Sequence, residues 1–461
     1  MNNIDVTPVS ITGRGKLYQW VNTNRALLIN TLSLVSTTAV TGVLGFAYWW
    51  IAAREFPPQV VGLASAAISA MTLLGAIFVL GLGTLLIGEL PRQKGKEWSL
   101  INAALLLVGG VGACGGVLFV LLAPYLSTDF QAFRAHISTI LLFAAGVSLT
   151  SIVVVLDQAL IGLLQGSLQF WRNTLFALVK LILLFLAGLW LTKESTIIYG
   201  TWAAGNLISL LPLFGLVLVQ VSRSKQAFLP DWKALHRLGL PALQHHILNL
   251  ILQVPITAMP VLVTIVLSAT INAWFYVAWM LSGLVFIASY ALTTVLYAIN
   301  ASQSEELSRK IRLTLGLSLL TAIIGNVLFQ FGATQILNIF GHNYAEEAAW
   351  SLRILSLGAF PTIIKNHYIA VGRIHNRMTR VVLPVAIGSI LELGAAALGA
   401  RLNGLVGLSL GWVVAICIEA VFMFPPVYRA AFSIRQPMEH QVRQFLATKQ
   451  GNVNPLENES V

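Results

Sequence analysis

Long apolar runs, each closed by a short polar break, repeat along the whole chain. A helix that crosses a bilayer needs about 20 consecutive, mostly apolar residues. Runs of that length lie near 27–52, 60–87, 100–123, 137–163, 170–191, 197–220, 241–266, 271–298, 311–331, 348–371, 379–400 and 403–427. They predict an all-α polytopic membrane protein with about twelve transmembrane helices. The pattern divides the chain into a polar start (1–26), six spans (27–221), a polar linker (222–240), six further spans (241–427) and a polar tail (428–461). The first run is long enough to remain a span, so no cleaved signal peptide is expected. In the tail, Ile434, Met438, Val442 and Phe445 make a helical stripe suited to a membrane surface.

Composition agrees with lipid as the solvent. Hydrophobic residues make up 57% of the chain and charged residues 10%, against about 25% charged in a soluble domain. A net charge of +11 would suggest nucleic acid in a soluble protein. Here the basic residues sit in alternate breaks, so no nucleic-acid partner is expected. One side collects 21 of the 28 Lys and Arg, among them Arg92, Lys94, Arg172, Lys225, Arg309 and Arg377; the other has Arg54, Arg134, Lys193 and Arg401. The positive-inside rule then puts both termini in the cytoplasm. Tyr48, Trp49, Trp50, Trp190, Tyr199, Trp202, Trp350 and Trp412 read as an outer aromatic rim. Cys114 and Cys417 lie inside apolar runs and imply neither disulfide nor metal; no cofactor is expected.

The halves echo each other at an offset of about 210 residues. GLGTLLIGEL (81–90) and SYALTTVLYAIN (289–300) each end a second span of their half. Six spans per half give repeats of the same orientation, hence two six-helix lobes around a central cavity.

Several stretches carry a family likeness. IAAREFPPQVVGLASAAIS (51–69) and LGLGTLLIGELPR (80–92) resemble the first hairpin of polysaccharide-export flippases, in the multidrug/oligosaccharidyl-lipid/polysaccharide exporter (MOP) superfamily. The family's Arg, Pro and Gly fall on Arg54, Pro57 or Pro58, and Gly62. ALIGLLQGSLQFWRN (159–173), FGHNYAEEAAWSLRILSLGAF (340–360) and RLNGLVGLSLGWVVA (401–415) are similar to later segments of that family. The resemblance implies a carrier, not an enzyme. Its cargo would be a polyprenyl pyrophosphate-linked oligosaccharide, moved between leaflets of the bacterial inner membrane for O-antigen, capsule or exopolysaccharide assembly. Membrane lipid, a coupling proton or sodium ion, and polysaccharide polymerase or chain-length proteins would be its partners.

Ionisable residues inside spans are costly and face protein or water. They are Asp157 in span 4, Lys180 in span 5, Arg353 and Lys365 in span 10, Glu392 in span 11 and Glu419 in span 12. One reading lines a cavity with them: Lys180 and Lys365, with Arg54 at the outer hairpin, bind the pyrophosphate, while Asp157, Glu392 and Glu419 exchange a coupling ion. The other makes them ties between helices, such as Asp157 with Lys180. Arg353, near the outer rim, suits snorkelling, and His245 with His246 opens span 7 at the cytoplasmic interface. Pro255 and Pro260 in span 7 predict a helix that bends between states, matched in span 1 by Gly42 and Gly45. A cation-coupled drug exporter is the competing transport reading. A polysaccharide polymerase or ligase would need catalytic groups on a sizeable external loop, and the external loops here are only about a dozen residues long.

Overall fold

The computed structural model describes residues 25–93, 95–224, 229–300, 307–375 and 377–432. The tail stripe at 434–445, Lys94, Lys225 and the side chain of His245 lie outside the described residues.

Among the described residues nine helices are long and apolar enough to cross a membrane; with the first helix, the two-part helix of span 10 and the turn that divides the last helix, they fill the twelve expected spans. Span 1 is Arg25–Glu55. Span 2 is two helices, Pro58–Phe78 and Leu82–Glu89. Spans 3 to 6 are Glu97–Leu122, Ile137–Gly162, Gly166–Trp190 and Ser195–Ser224. Spans 7 to 9 are Trp232–Val266, Ala269–Asn300 and Leu307–Asn338. Span 10 is again two helices, His342–Leu357 and Ala359–Ile374. Spans 11 and 12 are the arms of Met378–Phe432, which turns at Asn403 and Gly404. An even number of crossings returns both ends of the described chain to one side.

Within each half of the chain the spans pack on one another, and we refer to spans 1–6 and spans 7–12 as the two lobes. Two seams join them, and the seams differ. Span 2 lies against spans 7 and 8. At its outer end Gly62 meets the backbone of Ala269, and a Cβ there would collide with the Ala269 carbonyl. Further inward, the His246 ring faces the carbonyls of Ala76 and Ile77, so this seam is closed along most of its length. Spans 1 and 8 meet near the outer face, where Trp49 packs on Tyr276 at 4.5 Å between ring centroids. Below that contact Gly42 and Gly45 look onto open space, and Tyr290 is 65% exposed. Beside this seam an apolar groove of about 450 Å³ is lined by Phe46, Leu281, Leu284, Ile324 and Leu328 among others.

The helix breaks fall elsewhere than the prolines predicted. Span 7 stays helical through Pro255 and Pro260. Pro255 cannot donate to the Ile251 carbonyl, and the Ser389 hydroxyl from span 11 donates to it instead, at 3.0 Å. Likewise the Tyr368 hydroxyl donates, at 3.3 Å, to the Arg380 carbonyl that Pro384 leaves free. The breaks lie in span 2, where Leu80 and Gly81 take φ of 52° and 76°, and in span 10 at Gly358. Left-handed backbone costs glycine little, which suits Gly81 to the break.

Candidate functional site

Each lobe ties its fourth, fifth and sixth spans together with charge. In the first lobe, Asp157 of span 4 accepts two hydrogen bonds from Arg172 of span 5, at 2.9 and 2.7 Å. Asn173 donates a third at 3.0 Å, and Arg172 reaches Ser209 of span 6 at 3.4 Å. This paired, planar geometry is the strong form of the interaction. The expected Asp157–Lys180 pair is therefore replaced by Asp157–Arg172. Arg172 belongs to the buried part of span 5, not to a cytoplasmic loop.

In the second lobe, Lys365 of span 10 lies 2.5 Å from Glu392 of span 11 and 2.9 Å from Glu419 of span 12. Trp412 donates from its indole N–H to Glu392 at 2.7 Å. Only a hydrogen fits at Gly388, where a Cβ would strike the Glu419 carboxylate. All three charged groups are buried. One ammonium between two carboxylates leaves a single negative charge when all are ionised, and burying an uncompensated charge is costly. The cluster therefore suits one further proton or small cation. Oε1 of Glu419 has no hydrogen-bond partner among the described residues and is the natural place for it.

Lys180 stands apart from both ties. It is 4% exposed, and no carboxylate lies within ion-pair distance of it among the described residues. Its ammonium sits over three rings instead: Trp202 at 3.9 Å, Phe176 at 4.5 Å and Tyr48 at 5.0 Å to the centroids. Aromatic faces attract a cation through their quadrupole without neutralising it. The Tyr48 hydroxyl is anchored to the Ile198 carbonyl at 2.6 Å, so one wall of this cage belongs to span 1.

The two arrangements share one register. Lys180 stands fourteen residues after Gly166, where span 5 begins, and Glu392 fourteen after Met378, where span 11 begins. Trp202 stands seven residues after Ser195 and Trp412 seven after Leu405, the first residue beyond the turn. Each lobe thus sets a tryptophan of its sixth span against a charge on its fifth, positive in one lobe and negative in the other. The charge on the fourth span is reversed too, Asp157 in one lobe and Lys365 in the other, although Asp157 pairs with Arg172 and not with Lys180.

The remaining expected residues fall outside these clusters. Arg54 is exposed at the outer end of span 1 and donates to main-chain carbonyls of the opposite lobe. Pro255 and Pro260 are buried in span 7. Arg353 ties span 10 to span 9 through the Gln330 carbonyl, at 3.1 Å, and lies over Trp350. Tyr48, Tyr199 and Trp412, read as an outer rim, are buried. Trp190, Trp350 and Trp50 are exposed and fit the rim. Sequence reasoning missed Arg172 and the role of the tryptophans. The equal spacing of Lys180–Trp202 and Glu392–Trp412 from their span starts was the available signal.

Two halves of six helical spans, each tied by buried charge, meet at one sealed and one parted seam. The chain belongs to the polysaccharide biosynthesis protein family, whose sequence profile matches residues 27–260. No curated protein matches it in sequence. Among solved structures it resembles a multidrug resistance MATE family transporter of the MOP superfamily in its inward-facing conformation. That match has TM-score 0.68 and 13% identity, over 92% of this chain and 100% of the other. It also resembles the lipid II flippase MurJ in an inward closed conformation, with TM-score 0.64 and 12% identity, over 93% and 94%. The outward-facing form of a MATE transporter superposes with TM-score 0.57 and 14% identity, over 88% and 96%. The protein is a polytopic, all-helical membrane protein that shares the fold of these transporters.

Proposed function

We propose that this protein flips polyprenyl pyrophosphate-linked oligosaccharide from the inner to the outer leaflet of the bacterial cytoplasmic membrane by alternating access. The observation that carries the reading is the difference between the two seams. A cargo with a long isoprenoid tail cannot pass through a closed protein; its head must enter sideways while the tail stays in lipid. The parted lower half of the span 1–span 8 seam, with the apolar groove beside it, suits such an entry. Lys180 is the receiver for the diphosphate, because its charge is not spent on a carboxylate. Lys365, already engaged by Glu392 and Glu419, serves coupling instead: the cluster takes up and releases one proton or sodium ion as the lobes move.

The test is flipping in proteoliposomes. A fluorescent polyprenyl pyrophosphate oligosaccharide enters one leaflet, and a membrane-impermeant glycosidase attacks it from the other side. Protein-dependent cleavage supports the reading. Absence of cleavage, together with gradient-driven efflux of a cationic dye, would replace it with drug export.

A further inference from the structure

The outer face carries a set of polar contacts used by neither charged cluster, and each runs from one lobe to the other. Arg54 donates from Nε to the Ile339 carbonyl at 2.8 Å and from Nη2 to the Asn338 carbonyl at 3.4 Å. The Trp50 indole donates to the same Ile339 carbonyl at 3.0 Å. These carbonyls close the C-terminal end of span 9, where they lack helical donors and the helix dipole is negative. On span 8 the signs are opposite. The Ala269 N–H opens that helix and donates at 2.7 Å to Oδ2 of Asp129, from the outer segment between spans 3 and 4. One turn deeper, the buried Asn272 donates to the Gly62 carbonyl and to the Ser65 hydroxyl, at 2.8 and 3.0 Å.

We propose that Arg54 and Asp129 form a two-point outer latch. A cation of the first lobe clamps the negative end of span 9, and an anion of the same lobe clamps the positive end of span 8. Together they hold the outer face shut, with Asn272 and the Gly62–Ala269 contact as the dry layer beneath. This inference rests on the alternating-access reading, and it adds what must break for the outer face to open. It also joins the latch to the candidate cargo site. Span 1 presents Tyr48 to Lys180 on one side and Trp50 with Arg54 to span 9 on the other. Span 1 is a single rigid helix across these positions, so moving its outer end to uncover Lys180 also draws Arg54 and Trp50 off Ile339. Cargo at the cage and release of the latch become one movement.

The test measures lobe separation directly and needs no cargo, so it stands apart from the flipping assay. Cys114 and Cys417 are replaced by Ala in the full chain, spin labels are placed at Ala135→Cys and Glu347→Cys, and the protein is held in nanodiscs. Both label positions are exposed, one on each lobe near the outer face. Pulsed electron resonance should give one dominant short distance in the parent. Arg54→Ala and Asp129→Ala should each move the ratio of closed to open about tenfold toward open, equivalent to ~1.4 kcal/mol. The double variant should shift it further, and Arg54→Lys should fall between. Arg401→Ala, which removes an exposed outer cation away from the latch, should leave the distribution unchanged. The proposal is overturned if both single variants and the double keep the parent distribution, or if Arg401→Ala moves it as far as Arg54→Ala.

Discussion

Replacing Lys365 by Met removes the ammonium from between Glu392 and Glu419 while keeping most of its apolar volume. The contacts of 2.5 and 2.9 Å each correspond to about 6 kcal/mol of Coulomb attraction at an effective dielectric of 20. Desolvation of the charges offsets much of this. What decides the outcome is the state left behind: two buried carboxylates facing each other, two negative charges where there was one. Breaking a buried pair by deleting one partner costs roughly 3–5 kcal/mol, because the other partner stays buried and uncompensated. Lys365→Met should therefore sharply lower both the abundance of folded protein and its thermal midpoint in detergent. The triple variant Lys365→Met, Glu392→Gln, Glu419→Gln carries no charge in the cluster and should recover most of both. In proteoliposomes the triple variant should still fail to couple flipping to an ion gradient. If Lys365→Met matches the parent in abundance and melting, the cluster is not a buried charge knot and this reasoning fails.

Three further outcomes follow from particular contacts. Lys180→Met should leave melting equal to or above the parent, since it removes a buried ammonium that has no carboxylate partner, yet abolish flipping; parental flipping would remove Lys180 from the cargo site. Ser389→Ala should cost about 1–3 kcal/mol, because the Ile251 carbonyl loses its donor beside Pro255, and Pro255→Ala in the same chain should restore it by returning the helical N–H. A melting curve for Ser389→Ala that overlays the parent would count against that account. Gly62→Ala should push spans 2 and 8 apart at the outer face, seen as outside access of an impermeant thiol reagent to Ser65→Cys, with no gain in access as the contrary result.

The all-helical, polytopic fold was readable because a bilayer imposes one length and one solvent on every crossing, so apolar runs mark helices with little help from tertiary contacts. The clusters were legible as a list of costly residues but not as partners. Arg172 illustrates why: a charge six residues into span 5, next to a short turn, looks like a cytoplasmic loop residue until Asp157 is brought opposite. The continuous helix through Pro255 and Pro260 was not legible for a similar reason. A proline breaks a helix where its freed carbonyl finds no other donor, and Ser389 lies more than a hundred residues away in sequence. The tryptophans were assigned to the rim because indole prefers interfaces, although Trp412 uses its N–H on a buried carboxylate.

The charge reversal between Lys180 and Glu392 bears on how the empty protein responds to membrane voltage. The two residues stand at the same register of equivalent spans, hence at similar depth. A protonated Lys180 gives one lobe a single positive charge; the Lys365–Glu392–Glu419 cluster gives the other a single negative one; the Asp157–Arg172 pair contributes nothing net. Moving one elementary charge across the full field is worth about 2.3 kcal/mol per 100 mV. When both lobes tilt alike, these two charges travel together and their work against the field cancels. The unloaded protein should then change face with almost no displacement current, and a voltage step should give a transient only when a proton, a sodium ion or an anionic head group occupies one of the lobes. Capacitive recordings on supported membranes, with and without a sodium or proton gradient, read that difference directly.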